Sequence, residues 1–132
     1  MKITIKIFAL LSAIIHILFF CLESLLWTNP KVQKIFGQSA ETLDATTLLA
    51  FNQGFYNLFF ALGMIVGIAV MEKHKTIGFT LIAYIGSCML GAAMVLLYSA
   101  PKMITGVTAQ GLFPAIMLVC IAVYCKNGCG EN

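Results

Sequence analysis

The stretch IFALLSAIIHILFFCLESLLW, residues 7–27, decides the fold class. A hydrocarbon core of about 30 Å takes about 20 helical residues to cross. This run has that length and one formal charge, Glu23. Three further apolar runs follow, at residues 50–71, 77–98 and 103–124. A helix satisfies its own backbone hydrogen bonds, so each run must be helical inside lipid. The expected class is all-α: an integral membrane four-helix bundle, with residues 1–132 forming one transmembrane domain.

Composition points the same way. Apolar residues make up 61% and charged residues 10% of the chain, against roughly 45–50% and about 25% in soluble domains. So few charges leave too little polar surface to coat a globule in water. The net charge of +3 comes from lysines, with no arginine, and they are scattered at helix ends. Nucleic-acid binders cluster their basic residues with stacking aromatics, so that class is excluded. Lys2 and Lys6 before an apolar run look like a secretory signal, but no small-x-small cleavage site follows and more spans come later. A lipoprotein signal would want a small residue before Cys21, where Phe20 stands.

The joints carry their own signals. Thr28-Asn29-Pro30 offers capping oxygens and a proline suited to a first helical turn. A short amphipathic helix over residues 31–36, stopping at Gly37, is expected next. Ser39 is placed to cap a helix running through Glu41 and Asp44 into the second span. Residues 72–76 and 99–102 read as tight joints. Lys2, Lys6, Lys73, Lys75 and Lys126 fall on one side, and Lys31, Lys34 and Lys102 on the other. The excess favours both termini on the cytoplasmic side of a cell membrane. Gly63 and Gly67 form a GxxxG step, and Ala83, Ser87 and Gly91 a small-residue stripe, either of which lets helices approach closely. Packing within the chain is the simpler use, and a homodimer contact the other.

Polar residues inside the spans call for explanation. A charge at mid-membrane costs roughly 2.5–3.5 kcal/mol on insertion scales, so Glu23 needs a partner, a proton or water. His16 precedes it by seven residues. Seven steps of about 100° fall about 20° short of two full turns, so both point the same way. Ser12 and Trp27 extend that stripe. The second span adds Asn52, Gln53, Tyr56 and Asn57, and the fourth adds Gln110. Pro114 frees a carbonyl one turn back, that of Gln110. At about 1.5 Å per residue, Asn52 and Gln53 lie about 3–5 Å from the outer end of their span, and Glu23 about 6 Å from its own. Asn57 and Gln110 come near 10 Å and His16 near 16 Å. Three helices thus place polar groups in the same outer half. The expectation is a pocket of His16, Glu23, Trp27, Asn52, Gln53, Tyr56, Asn57 and Gln110. The alternative is a hydrogen-bond network that fixes helix register.

Other chemistry is thinly represented. His16 and Glu23 are two ligands where structural zinc wants four, so no metal and no cofactor are expected. Cys21, Cys88 and Cys120 read as apolar filler. Cys125 and Cys129 sit in the tail, expected to be cytoplasmic and reduced. His74 reads as a solvated joint residue. No phosphate loop, G-x-S-x-G elbow or HExxH motif occurs, and no internal repeat supports inverted halves.

Several stretches together carry a resemblance. They are His16-x6-Glu23-x3-Trp27, Phe36-Gly37, Asn52-Gln53-Gly54-Phe55-Tyr56-Asn57, Ala61-Leu62-Gly63, and Gln110 with Pro114-Ala115. In these the chain resembles the small bacterial membrane proteins grouped as domain of unknown function 1304. The third span and the cysteine tail contribute nothing to the match. The resemblance implies a four-helix membrane protein of similar length and no particular reaction, substrate or cofactor.

Three functions stay open at this point. In the first, a small amphipathic or lipid-like molecule from the outer leaflet is bound or transported in the pocket. In the second, the polar network only specifies packing in an accessory subunit. In the third, His16 and Glu23 share a proton as a coupled unit and act as catalytic acid and base on a lipid-phase substrate.

Overall fold

The computed structural model describes residues 1–127, so Cys129 lies outside the described residues. Five α-helices and no strand occur among them. They are α1 (Lys2–Phe20), α2 (Pro30–Phe36), α3 (Ala40–Val70), α4 (Lys75–Ser99) and α5 (Ile104–Lys126), with a π-helical turn at Cys21–Leu25 continuing α1. Four helices are long and apolar enough to cross a membrane: Lys2–Leu25, Glu41–Val70, Lys75–Ser99 and Ile104–Lys126. These match the four expected spans. The first starts five residues earlier and closes before Trp27, which lies in the following turn.

The local signals act as read. Asn29 Oδ1 accepts the Lys31 N–H at 2.9 Å and Pro30 fills the first turn of α2. Gly37 ends α2 in the left-handed region at φ 64°, where a Cβ would be strained. The Ser39 N–H donates to Thr42 Oγ1 at 3.3 Å at the start of α3. At 31 residues, α3 is about 46 Å long, so its first turns outrun a hydrocarbon core of about 30 Å.

The four long helices form a closed circuit of neighbours: α1 lies against α3 and α5, and α4 against α3 and α5. On α1, Ile3, Ile7, Leu10, Ile14 and Leu18 face outward, whereas Ser12, Ala13 and His16 are buried. Apolar bulk outside and small or polar groups inside suit a chain whose solvent is lipid. Ala9, Ala61, Met64, Ile82, Met89 and Met117 share the main core. A second cluster of Trp27, Val32 and Ala50 holds α2 against the end of α1 and the start of α3.

The GxxxG step packs within the chain. A Cβ at Gly63 would stand 2.5 Å from Ile85 Cδ1, and one at Gly67 2.8 Å from Ile82 Cγ1. The stripe on α4 does not. Ser87 and Gly91 are exposed, and a Cβ on Gly91 would meet nothing within 4 Å. The buried face of α4 runs instead through Gly78, Ile82, Ile85, Gly86, Met89 and Ala93. Spacing identifies a face, but the direction in which that face turns depends on the neighbouring helices, which the spacing does not contain.

Candidate functional site

Glu23 sits in the π turn. The Leu26 N–H donates to the Cys21 carbonyl at 3.0 Å, closing the wide i→i+5 loop. A π turn inserts a residue into the α-helical phase and recurs at functional sites. Here it sets two neighbouring side chains against α3. Asn57 Nδ2 donates to Glu23 Oε2 at 2.8 Å, and also to the Gln53 carbonyl at 3.2 Å. The Ser24 hydroxyl donates to the Phe51 carbonyl at 2.9 Å. Gly54 makes this approach possible, because a Cβ there would run into Ser24 Oγ. Asn57 is buried, so it acts as a fixed donor to the carboxyl group of the first span.

Two cavities meet at Glu23 and Gln53. The first, of about 390 Å³, is lined by Glu23, Gln53, Gln110 and Ser99 among apolar walls that include Phe19, Phe36 and Met103. The second, of about 290 Å³, is lined by Glu23, Gln53, Trp27, Gln38, Thr46, Leu49 and Ala50. The Trp27 indole N–H is buried without a hydrogen-bond partner, although its ring stands 5.1 Å from that of Phe36. Among the described residues, the side-chain amides of Gln53 and Gln110 likewise lack a protein partner.

Of the eight residues expected in a pocket, Glu23, Gln53, Gln110 and Trp27 line these cavities, and Asn57 holds Glu23. His16 is elsewhere. Its Nδ1–H donates to the Ser12 carbonyl at 2.9 Å, and the rings of Phe19 and Phe60 stand edge-on to it at 6.3 and 6.2 Å. It makes no hydrogen bond to Glu23. Asn52 and Tyr56 are exposed on the outward side of α3 and line neither cavity. Asn52 and Tyr56 stand one turn apart, as do Gln53 and Asn57, and only the second pair turns toward Glu23. Residues not anticipated are Ser24, Ser99, Phe36, Gln38 and Thr46. Ser24 had one legible signal, a hydroxyl beside Glu23; its approach to Gly54 is a tertiary contact. Gln38, Thr46 and Ser99 lie near helix ends, where polar residues are ordinary.

Pro114 is buried within an unbroken α5, and Gln110 one turn earlier faces the first cavity. A third hollow of about 540 Å³ at the opposite end is lined by His74, Lys75, Thr80 and Cys125, among others. Among the described residues, no three His, Cys, Asp or Glu side chains converge as metal ligands would.

The model of the family described as a protein of unknown function, DUF1304, matches residues 10–122. The chain belongs to that family. No curated protein and no solved structure matches it. The DUF1304 match takes in every residue placed here around Glu23, together with the π turn and Gly54. The family description assigns no reaction, so the chemistry must come from the cavities themselves.

Proposed function

We propose that this protein binds, and in doing so can move, a small amphipathic or lipid-like molecule whose polar end sits at Glu23. The observation that carries this reading is the convergence of Glu23, Gln53 and Gln110, from three separate helices, on one cavity of about 390 Å³. Ligand pockets of about 300–1,000 Å³ combine apolar walls with a few polar groups that fix orientation. Glu23 offers an acceptor held in place by Asn57, while the two glutamine amides supply donors and acceptors. Phe19, Phe36, Val95 and Met103 supply the apolar wall. The setting we propose is a cell membrane crossed four times, with both termini on the cytoplasmic side. The lysine excess supports that orientation. The ion pair of Lys6 with Glu72 puts the start of α1 at the same end as the α3–α4 joint, as a four-crossing path requires, and leaves the choice of side to the lysines.

Native mass spectrometry of the full chain from mild detergent tests this, comparing the natural sequence with Glu23→Gln. A discrete small-molecule adduct, lost or weakened in the variant, is the expected result. One specific observation favours a second reading. The Asn57–Glu23 and Ser24–Phe51 bonds would also fix the register of α1 on α3. A natural chain without adduct, and a variant altered only in thermal stability, would transfer the site to that structural role.

A further inference from the structure

A groove of about 380 Å³ opens between the end of α1 and the start of α5, beneath α2. Leu18 on α1 and Leu22 in the π turn that continues it stand one turn apart, and Thr105 and Ala109 on α5 do the same, forming two antiparallel walls. Lys34 from α2 and Lys102 from the α4–α5 joint both line it, and no acidic side chain does. Like Lys2, Lys31, Lys73 and Lys126, and unlike Lys6 and Lys75, these two lysines have no side-chain partner among the described residues; what sets them apart is that they share one apolar groove with no acid in it. Lys6 pairs with Glu72, and Lys75 stands over the ring of Tyr124. Lys34 and Lys102 are exposed and, among the described residues, their ammonium groups make no ion pair or hydrogen bond. Two unneutralised ammonium groups, brought from distant parts of the sequence to one apolar groove, complement an anion that carries a hydrocarbon tail.

We infer that this groove is a docking site for an anionic phospholipid. The headgroup phosphate lies between Lys34 and Lys102, and one acyl chain runs along Leu18 and Leu22. The Thr105 hydroxyl adds a donor at the same groove. Glu23 does not line it, so the inference stands apart from the Glu23 cavity, although Phe19, Phe36, Met103 and Gly106 border both.

The test is native mass spectrometry of the full chain in mild detergent, titrated with dioleoyl phosphatidylglycerol and dioleoyl phosphatidylcholine in equal amounts. Each of the two groove lysines is expected to contribute roughly fivefold to the preference for the anionic lipid. The natural chain should retain phosphatidylglycerol well above phosphatidylcholine. The Lys34→Gln/Lys102→Gln pair should bring the ratio close to one, and Lys31→Gln or Lys73→Gln should leave it unchanged. Both changed residues are exposed, so folding is not at stake. Equal retention by the natural chain overturns the proposal. So does a preference that survives the double substitution, or one that Lys31→Gln lowers equally, since that would be diffuse surface charge. Displacement by glycerol phosphate at a concentration equal to that of phosphatidylglycerol would show that the acyl chain adds nothing, and would also overturn it. Glu23→Gln should leave the ratio intact. Its loss there would move the lipid into the Glu23 cavity and sink the groove.

Discussion

Asn57 is the residue on which the polar interior depends. Its amide bridges the Glu23 carboxyl group and the Gln53 carbonyl. Asn57→Ala leaves Glu23 without that partner, and a buried polar group left unsatisfied costs about 1–3 kcal/mol. A loss of that order should appear as a lower Tm in detergent, and an unchanged Tm would show that water serves Glu23 equally well. Trp27 provides the opposite case. Its indole N–H is buried without a protein partner, so Trp27→Phe removes a donor that stabilises nothing in the unliganded chain. Thermal unfolding should then show a loss of no more than about 1 kcal/mol for Trp27→Phe, the cavity left by the smaller ring being offset by removal of an unpaired buried donor. A fall well beyond that would mean the indole ring's extra volume, not its N–H, is what the Trp27–Val32–Ala50 cluster needs. At this scale the sequence was only partly legible. Glu23 and Asn57 stand out because ionisable and amide groups are costly in lipid, but nothing local says that they meet.

Helix contacts set the second scale. Gly54 lets the π turn lie on α3, with Ser24 Oγ in the space a Cβ would take. Gly54→Ala should therefore overpack the contact, by about 1–3 kcal/mol. Adding Ser24→Ala removes the obstructing oxygen, so the double variant should recover part of that loss. Strict additivity in the mutant cycle would mean that the two do not share the contact. The α4 stripe behaves differently. Gly91 faces open space, and alanine is the better helix former by roughly 0.8–1 kcal/mol. Gly91→Ala should raise stability while Gly67→Ala, set against Ile82, should lower it. Two losses of equal size would put Gly91 in a buried seam after all. The spacing of four was visible in both stripes, and only the neighbouring helix distinguishes them.

On the scale of the whole molecule, the Lys6–Glu72 ion pair joins the start of α1 to the α3–α4 joint. Exposed pairs contribute about 0–1 kcal/mol, so Glu72→Gln should scarcely move the Tm. The pair matters more as a marker of which ends lie together. Single cysteines in a chain otherwise without cysteine check the orientation. Lys73→Cys and Asn127→Cys should react with an impermeant thiol reagent from one side of a sealed membrane, and Lys34→Cys from the other. Labelling of all three from one side would overturn the proposed crossing pattern.

By itself the sequence determined that this chain has four helices long and apolar enough to span a membrane, where α2 starts and stops, and which polar residues are costly. Those are local properties, set by hydropathy over about 20 residues, by capping atoms and by a glycine at positive φ. Only the tertiary structure decided that Glu23 meets Asn57 and not His16, that Asn52 and Tyr56 face outward, and that the α4 stripe is turned away from the core. The reason is rotational. A π turn shifts the phase of α1 after Phe20, and the direction in which a helix face points depends on neighbours that no stretch of its own sequence contains.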